Sequence, residues 1–118
     1  MKAKEQPTND LTWDQFLQVE MRVGAVLEAV RNEKARKPAY VLRIDFGEHG
    51  ALTSSAQITD LYAPEDLVGR QVIAVVNFPP KRIAGVKSEC LVLGSVAEDG
   101  TVTLIGPDKP VKNGSRIA

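Results

Sequence analysis

Val72-Ile73-Ala74-Val75-Val76 is apolar at every residue and β-branched at all but Ala74. A strand with two apolar faces must be covered on both, which predicts a place inside a closed or layered sheet. Pro79 and Pro80 follow shortly after. Neither can donate a ladder hydrogen bond, so the strand must end before them. The chain from there to Ser88 reads as a long loop that carries Lys81, Arg82 and Lys87 and no acid. Leu91 to Leu93 then resumes an apolar strand. A cationic loop held between two core strands is a rigid scaffold presenting a site, and it favours binding over catalysis.

The whole chain has 118 residues and a formal net charge of zero. That length suits one domain with a core of moderate size. Overall neutrality argues against a nucleic-acid partner, but the charge is unevenly spread. The segment Val30 to Pro38 holds Arg31, Lys34, Arg36 and Lys37 against Glu33. Together with the loop of Lys81, Arg82 and Lys87 it gives two segments of net +6, balanced by −6 elsewhere. A single cysteine, Cys90, leaves no intramolecular disulfide and sits in an apolar strand, as a small core residue does. The N-terminus leads into no apolar run, so neither a signal peptide nor a membrane span is expected, and the cytoplasm is the default location.

Along the chain, residues 1–10 are polar and expected to be flexible, with one folded domain over 11–118. Thr12 and Gln15 have capping-box spacing, which predicts a short helix over Trp13 to Leu17. Its apolar residues Trp13, Phe16 and Leu17 would plug a barrel end or form an interface. Val19 to Ala29 reads as a long strand with Val19, Met21, Val23, Ala25 and Leu27 on one face. Gly24, with Val26 on the second face, predicts a bulge or sharp bend. Tyr40, Leu42, Ile44 and Phe46 share one face of a strand over Ala39 to Phe46, and Gly47-Glu48-His49-Gly50 turns the chain. His49 belongs to that turn, since no second histidine exists to complete a metal site. A third strand, Ala51 to Ile58, has a hydroxyl-rich centre, Thr53-Ser54-Ser55, suited to a solvated edge or to a ligand. Pro64, Glu65 and Asp66 mark a short helix start, with Gly69 as its C-terminal cap. Beyond Leu93, Thr101 to Ile105 is a further strand, and Asn113-Gly114 signals another turn.

Five strands with a helix between the third and fourth is the order of an OB-fold. The expected fold is therefore all-β, a five-stranded OB barrel with a short N-terminal helix and a C-terminal strand extension. That fold presents its first-to-second and fourth-to-fifth strand loops to oligonucleotides, and the two basic segments fall in those connections.

Several motifs occur in order: Arg22-Val23-Gly24, Asp45-Phe46-Gly47, Tyr62-x-Pro64-Glu65-x-Leu67-x-Gly69, Val75-Val76-Asn77-Phe78 and Gly85-x-x-Ser88-Glu89. Together they resemble the tRNA-binding domain appended to some methionyl- and tyrosyl-tRNA synthetases and also found as a free dimer. Ala35-Arg36-Lys37-Pro38-Ala39-Tyr40, Ser54-Ser55-Ala56-Gln57-Ile58-Thr59 and Val76-Asn77-Phe78-Pro79-Pro80 are similar to the versions in the CsaA group of export-related chaperones. The CsaA resemblance implies a cytosolic homodimer whose clients are preproteins bound for the secretion machinery. The wider resemblance implies tRNA as a partner.

Two readings therefore stand at this stage. In a chaperone, Phe78, Ile83 and Val86 would contact apolar peptide segments. In a binder of tRNA or other structured RNA, Arg36, Lys37, Asn77, Lys81, Arg82 and Ser88 would meet phosphates and sugars, with Tyr40 and Phe78 placed for base stacking. No Ser-His or Cys-His pair, CxxC or phosphate-cradling glycine loop is present, so neither an enzyme nor a cofactor or metal is expected.

Overall fold

The computed structural model describes residues 9–118, so most of the stretch expected to be flexible lies outside the described residues. The fold is all-β with two short helices. Helix α1 (Trp13–Leu17) starts at a capping box in which Thr12 Oγ1 accepts from Gln15 N and Gln15 Oε1 accepts from Thr12 N. Strand β1 (Met21–Arg31) pairs antiparallel with β2 (Tyr40–Asp45), and β2 with β3 (Ala51–Ala56). Helix α2 (Pro64–Leu67) leads into β4 (Gln71–Val75), which lies on the other side of β1. Its proline-first start, its Asp66 side chain accepting from Ala63 N, and Gly69 at φ +88° match the capping chemistry read from the sequence.

The basic stretch after Pro80 is not a loop. It forms a hairpin of β5 (Lys81–Ile83) and β6 (Val86–Ser88), turned at Ala84-Gly85. Strand β7 (Leu91–Val92) pairs with β4, which gives the order β3-β2-β1-β4-β7. The barrel closes between β3 and the segment ahead of β7 through mixed bonds. Glu89 N donates to the Thr53 carbonyl at 2.7 Å, Thr53 N to Glu89 Oε1 at 2.9 Å, and Ser54 Oγ to the Cys90 carbonyl at 3.0 Å. The hydroxyl-rich centre of β3 is thus neither a solvated edge nor a ligand site at Ser54, which is fully enclosed and hydrogen-bonded.

The core gathers Phe46, Leu42, Ile44, Val26, Leu67 and Val72. Val72, Ile73, Ala74 and Val75 are all buried, so the doubly apolar strand is covered on both faces, within one chain. Gly24 serves close packing: a Cβ there would lie 2.6 Å from Ile44 Cγ2 and 2.7 Å from Phe46 Cε1. The predicted irregularity of β1 exists, but it falls between Val26 and Glu28. There the extra residue turns Leu27 outward, to 47% exposure, and Val26 inward, to 1%. Leu27 therefore does not join the core face expected for it.

Beyond β7, β8 (Gly94–Val96) pairs with β9 (Val102–Leu104), and β10 (Arg116–Ile117) returns to the start of β1. The expected C-terminal extension is thus a hairpin plus a returning strand. It is tied down by Gly114 N donating to the Val23 carbonyl and by Arg22 Nη1 donating to the Gly114 carbonyl. Helix α1 does not plug the barrel, since Trp13 is 80% exposed and Leu17 is also exposed.

Candidate nucleic-acid and peptide interface

The β5–β6 hairpin stands between two grooves. One, of about 510 Å³, is walled by Lys34, Ala35, Arg36 and Lys37 of the β1–β2 loop and by Ile83 and Ala84 of the hairpin, with Ser55 and Gln57 of the β3 segment. The other, of about 620 Å³, is walled by Phe78, Pro79, Pro80, Ile83 and Leu91, with Ser88, Glu89 and Cys90. Ser55 and Ile83 line both. The β1–β2 loop and the turn of the β5–β6 hairpin therefore face one another.

The residues expected to meet RNA do not converge on one surface. Arg36 and Lys37 line the basic groove, and Lys81 lines the apolar one. Arg82 lies directly opposite Lys87 across the hairpin. Like charges in that register repel, and no acid is ion-paired with either among the described residues. Ser88 Oγ accepts from Ser55 N at 3.1 Å, so it helps close the barrel. Both ends of the Asn77 amide serve structure: Oδ1 accepts from Glu20 N at 3.0 Å and Nδ2 donates to the Gln18 carbonyl at 2.7 Å, clamping the α1–β1 linker to the end of β4. Tyr40 is 2% exposed and its hydroxyl donates to the Tyr62 carbonyl, so it offers no face to a base.

The peptide residues fall together more closely. Phe78, half exposed at 53%, and Ile83 line the apolar groove, while Val86 is the half-buried cross-strand partner of Ile83. Leu91, read from the sequence as core, is exposed and adds to that wall. Successive strand residues point to opposite faces, and in β7 it is Val92 that packs against the core, which leaves Leu91 outside. At the groove floor, burial is the main cause that pushes the Cys90 thiol up to about 12, so it stays protonated and unreactive at neutral pH. Among the described residues no cluster of acids, histidine and cysteine could hold a metal ion, and no helix is long and apolar enough to cross a membrane.

Residues 21–116 match the family described as "Putative tRNA binding domain". The chain belongs to this tRNA-binding domain family. Among solved structures, chaperone CsaA of Bacillus anthracis is 50% identical, with a TM-score of 0.84 over 92% of this chain and 99% of that one. The CsaA chaperone of Picrophilus torridus is 45% identical, with a TM-score of 0.86 over 92% of this chain and 100% of that one. The methionine–tRNA ligase of Porphyromonas gingivalis is 39% identical over 108 residues, 92% of this chain. The match spans only 16% of the ligase's length. This tRNA-binding domain thus stands beside two whole CsaA chains and a small part of a much longer ligase.

Proposed function

We propose that the chain is a non-catalytic chaperone of the CsaA type that receives apolar segments of unfolded polypeptide in the groove beside Phe78. The groove itself carries this reading: Phe78, Pro79, Pro80, Ile83 and Leu91 form an apolar wall outside the core. Pro79 and Pro80 hold that wall stiff, so a client loses less of its binding energy to ordering the receptor. The identity to two CsaA chaperones supports the same role. Preproteins on their way to the secretion machinery are the clients that role implies, met in the cytoplasm.

A homodimer completes the proposal. Strands β4 and β9 are both paired within one chain, so unpaired strands there do not call for a partner. The exposed side chains of Leu11, Trp13 and Leu17 on and beside α1 support it instead. Sedimentation at micromolar concentration is expected to give twice the chain mass, and a monomer there contradicts the dimer.

The client site is tested with an apolar peptide carrying a photoactivatable side chain. Cross-links are expected on residues 78–91. Cross-links confined to α1 would move the site to that helix.

RNA binding is a second reading, favoured by the like-charge Arg82–Lys87 register and by the groove of Lys34, Arg36 and Lys37. Phosphate oxygens would offset both concentrations of positive charge. Membership of the family supports tRNA as the RNA.

A further inference from the structure

We infer that Asn32 is a positioning residue for the basic groove, fixing the spacing between its two walls. The inference rests on the RNA reading. Asn32 is only 8% exposed and is one of two buried polar residues in the chain's described part. Its backbone N–H donates to the Ala39 carbonyl at 2.9 Å, drawing the ends of the β1–β2 loop together. Its Oδ1 accepts from Lys34 N at 3.0 Å, which fixes the path of the cationic residues that follow. Its Nδ2 donates to the Ala84 carbonyl at the hairpin turn, at 3.4 Å. One buried amide thus touches both walls.

The far end of that bridge is strained. Ala84 has φ +48°, the left-handed region that a side chain disfavours, and Gly85 follows at φ +83°. The Lys34 stem lies over this turn: a Cβ built at Gly85 would be 3.2 Å from Lys34 Cδ and 3.6 Å from Nζ. Positive φ at both central residues is what a two-residue hairpin turn requires, so the cost falls on Ala84, a residue with a side chain, and Asn32 supplies the only side-chain hydrogen bond to Ala84 among the described residues. Without that bridge the two walls must be ordered when a polyanion binds.

Asn32→Ser tests the bridge alone, because a serine hydroxyl still reaches Lys34 N but not the Ala84 carbonyl. Asn32→Ala removes both bonds. The probe is a tRNA transcript, titrated over a range of salt against the parent, both Asn32 variants and Arg36→Ala. Ordering one side-chain contact on binding corresponds to roughly a 3- to 10-fold loss of affinity, expected for both Asn32 variants. Their slope of log affinity against log salt should match the parent, because no charge has changed. Arg36→Ala should lower that slope by about one. Amide exchange should speed up in the β5–β6 hairpin of Asn32→Ser and stay unchanged in β4. Parental affinity in Asn32→Ser, with a lowered slope in Arg36→Ala, overturns the positioning role and leaves the RNA reading standing. An unchanged slope in Arg36→Ala removes the groove as the RNA site, and the inference falls with it.

Discussion

The two sides of the β5–β6 hairpin differ in what they ask of a ligand. On one side Lys34, Arg36 and Lys37 rim a groove whose other wall is a strained turn. On the other, Phe78, two prolines and Leu91 form an apolar wall over a buried thiol. The first attracts by charge, which salt screens. The second attracts by removing apolar surface from water, which salt does not weaken. A chain of zero net charge can therefore present a cationic groove and an apolar groove on two sides of one hairpin. Composition reports neither, because each depends on which residues the fold brings to the same side of Ile83.

Phe78→Ala breaks the apolar side most strongly. If the ring anchors the peptide, affinity for an apolar peptide should fall by about 1–3 kcal/mol. The salt slope for tRNA should not change. Calorimetric titration of both ligands checks this, after thermal melting has established that the variant folds. On the basic side, Arg36→Ala combined with Lys37→Ala removes two positive charges from the groove, and with them two phosphate contacts if RNA lies there. That corresponds to about 2 kcal/mol of tRNA affinity near 0.15 M salt, with peptide affinity intact. Equal losses for both ligands in either variant would mean that the hairpin separates nothing.

The Cys90 thiol probes how dry the apolar floor is. Its folded pKa lies above the unfolded value, so the unfolded chain gives up the proton first as pH rises. The resulting stability is complete below about pH 9 and is lost toward 12, by up to about 1.4 kcal/mol per pH unit. Urea melts across pH 8 to 11 should show that slope in the parent and not in Cys90→Ala. The smallest effect is expected at Lys87→Glu, which turns the Arg82 register from repulsive to attractive. Stability should rise by about 0.2–1 kcal/mol in thermal melts, while tRNA binding weakens.

The barrel was readable from the sequence wherever apolar residues alternated, as in Tyr40, Leu42, Ile44 and Phe46. It was also readable where a strand was apolar throughout, as at β4. The cap of α1 and the start of α2 were legible because their chemistry is local. The hairpin was not, since Lys81–Ile83 and Val86–Ser88 show no alternation and their turn lacks the usual Asn-Gly. The distribution of charge pointed to the β1–β2 wall of the basic groove but not to the facing wall, the uncharged Ile83 and Ala84, nor to Asn32, an uncharged residue whose part depends on a turn 52 positions later. Asn77 and Ser88 were polar residues in the expected place, but their hydrogen bonds serve the barrel and the α1 linker. Only long-range contacts distinguish that use from exposure to a ligand.

The central claim, that two sites of different physics share one hairpin, is tested most directly by titrating the unaltered protein with a tRNA transcript and with an apolar, uncharged peptide over the same salt series. Log affinity for tRNA should fall linearly with log salt, by somewhat less than about one for each phosphate contact. Affinity for the peptide should stay level or rise slightly. A peptide affinity that falls with the same slope as that of tRNA would contradict the account.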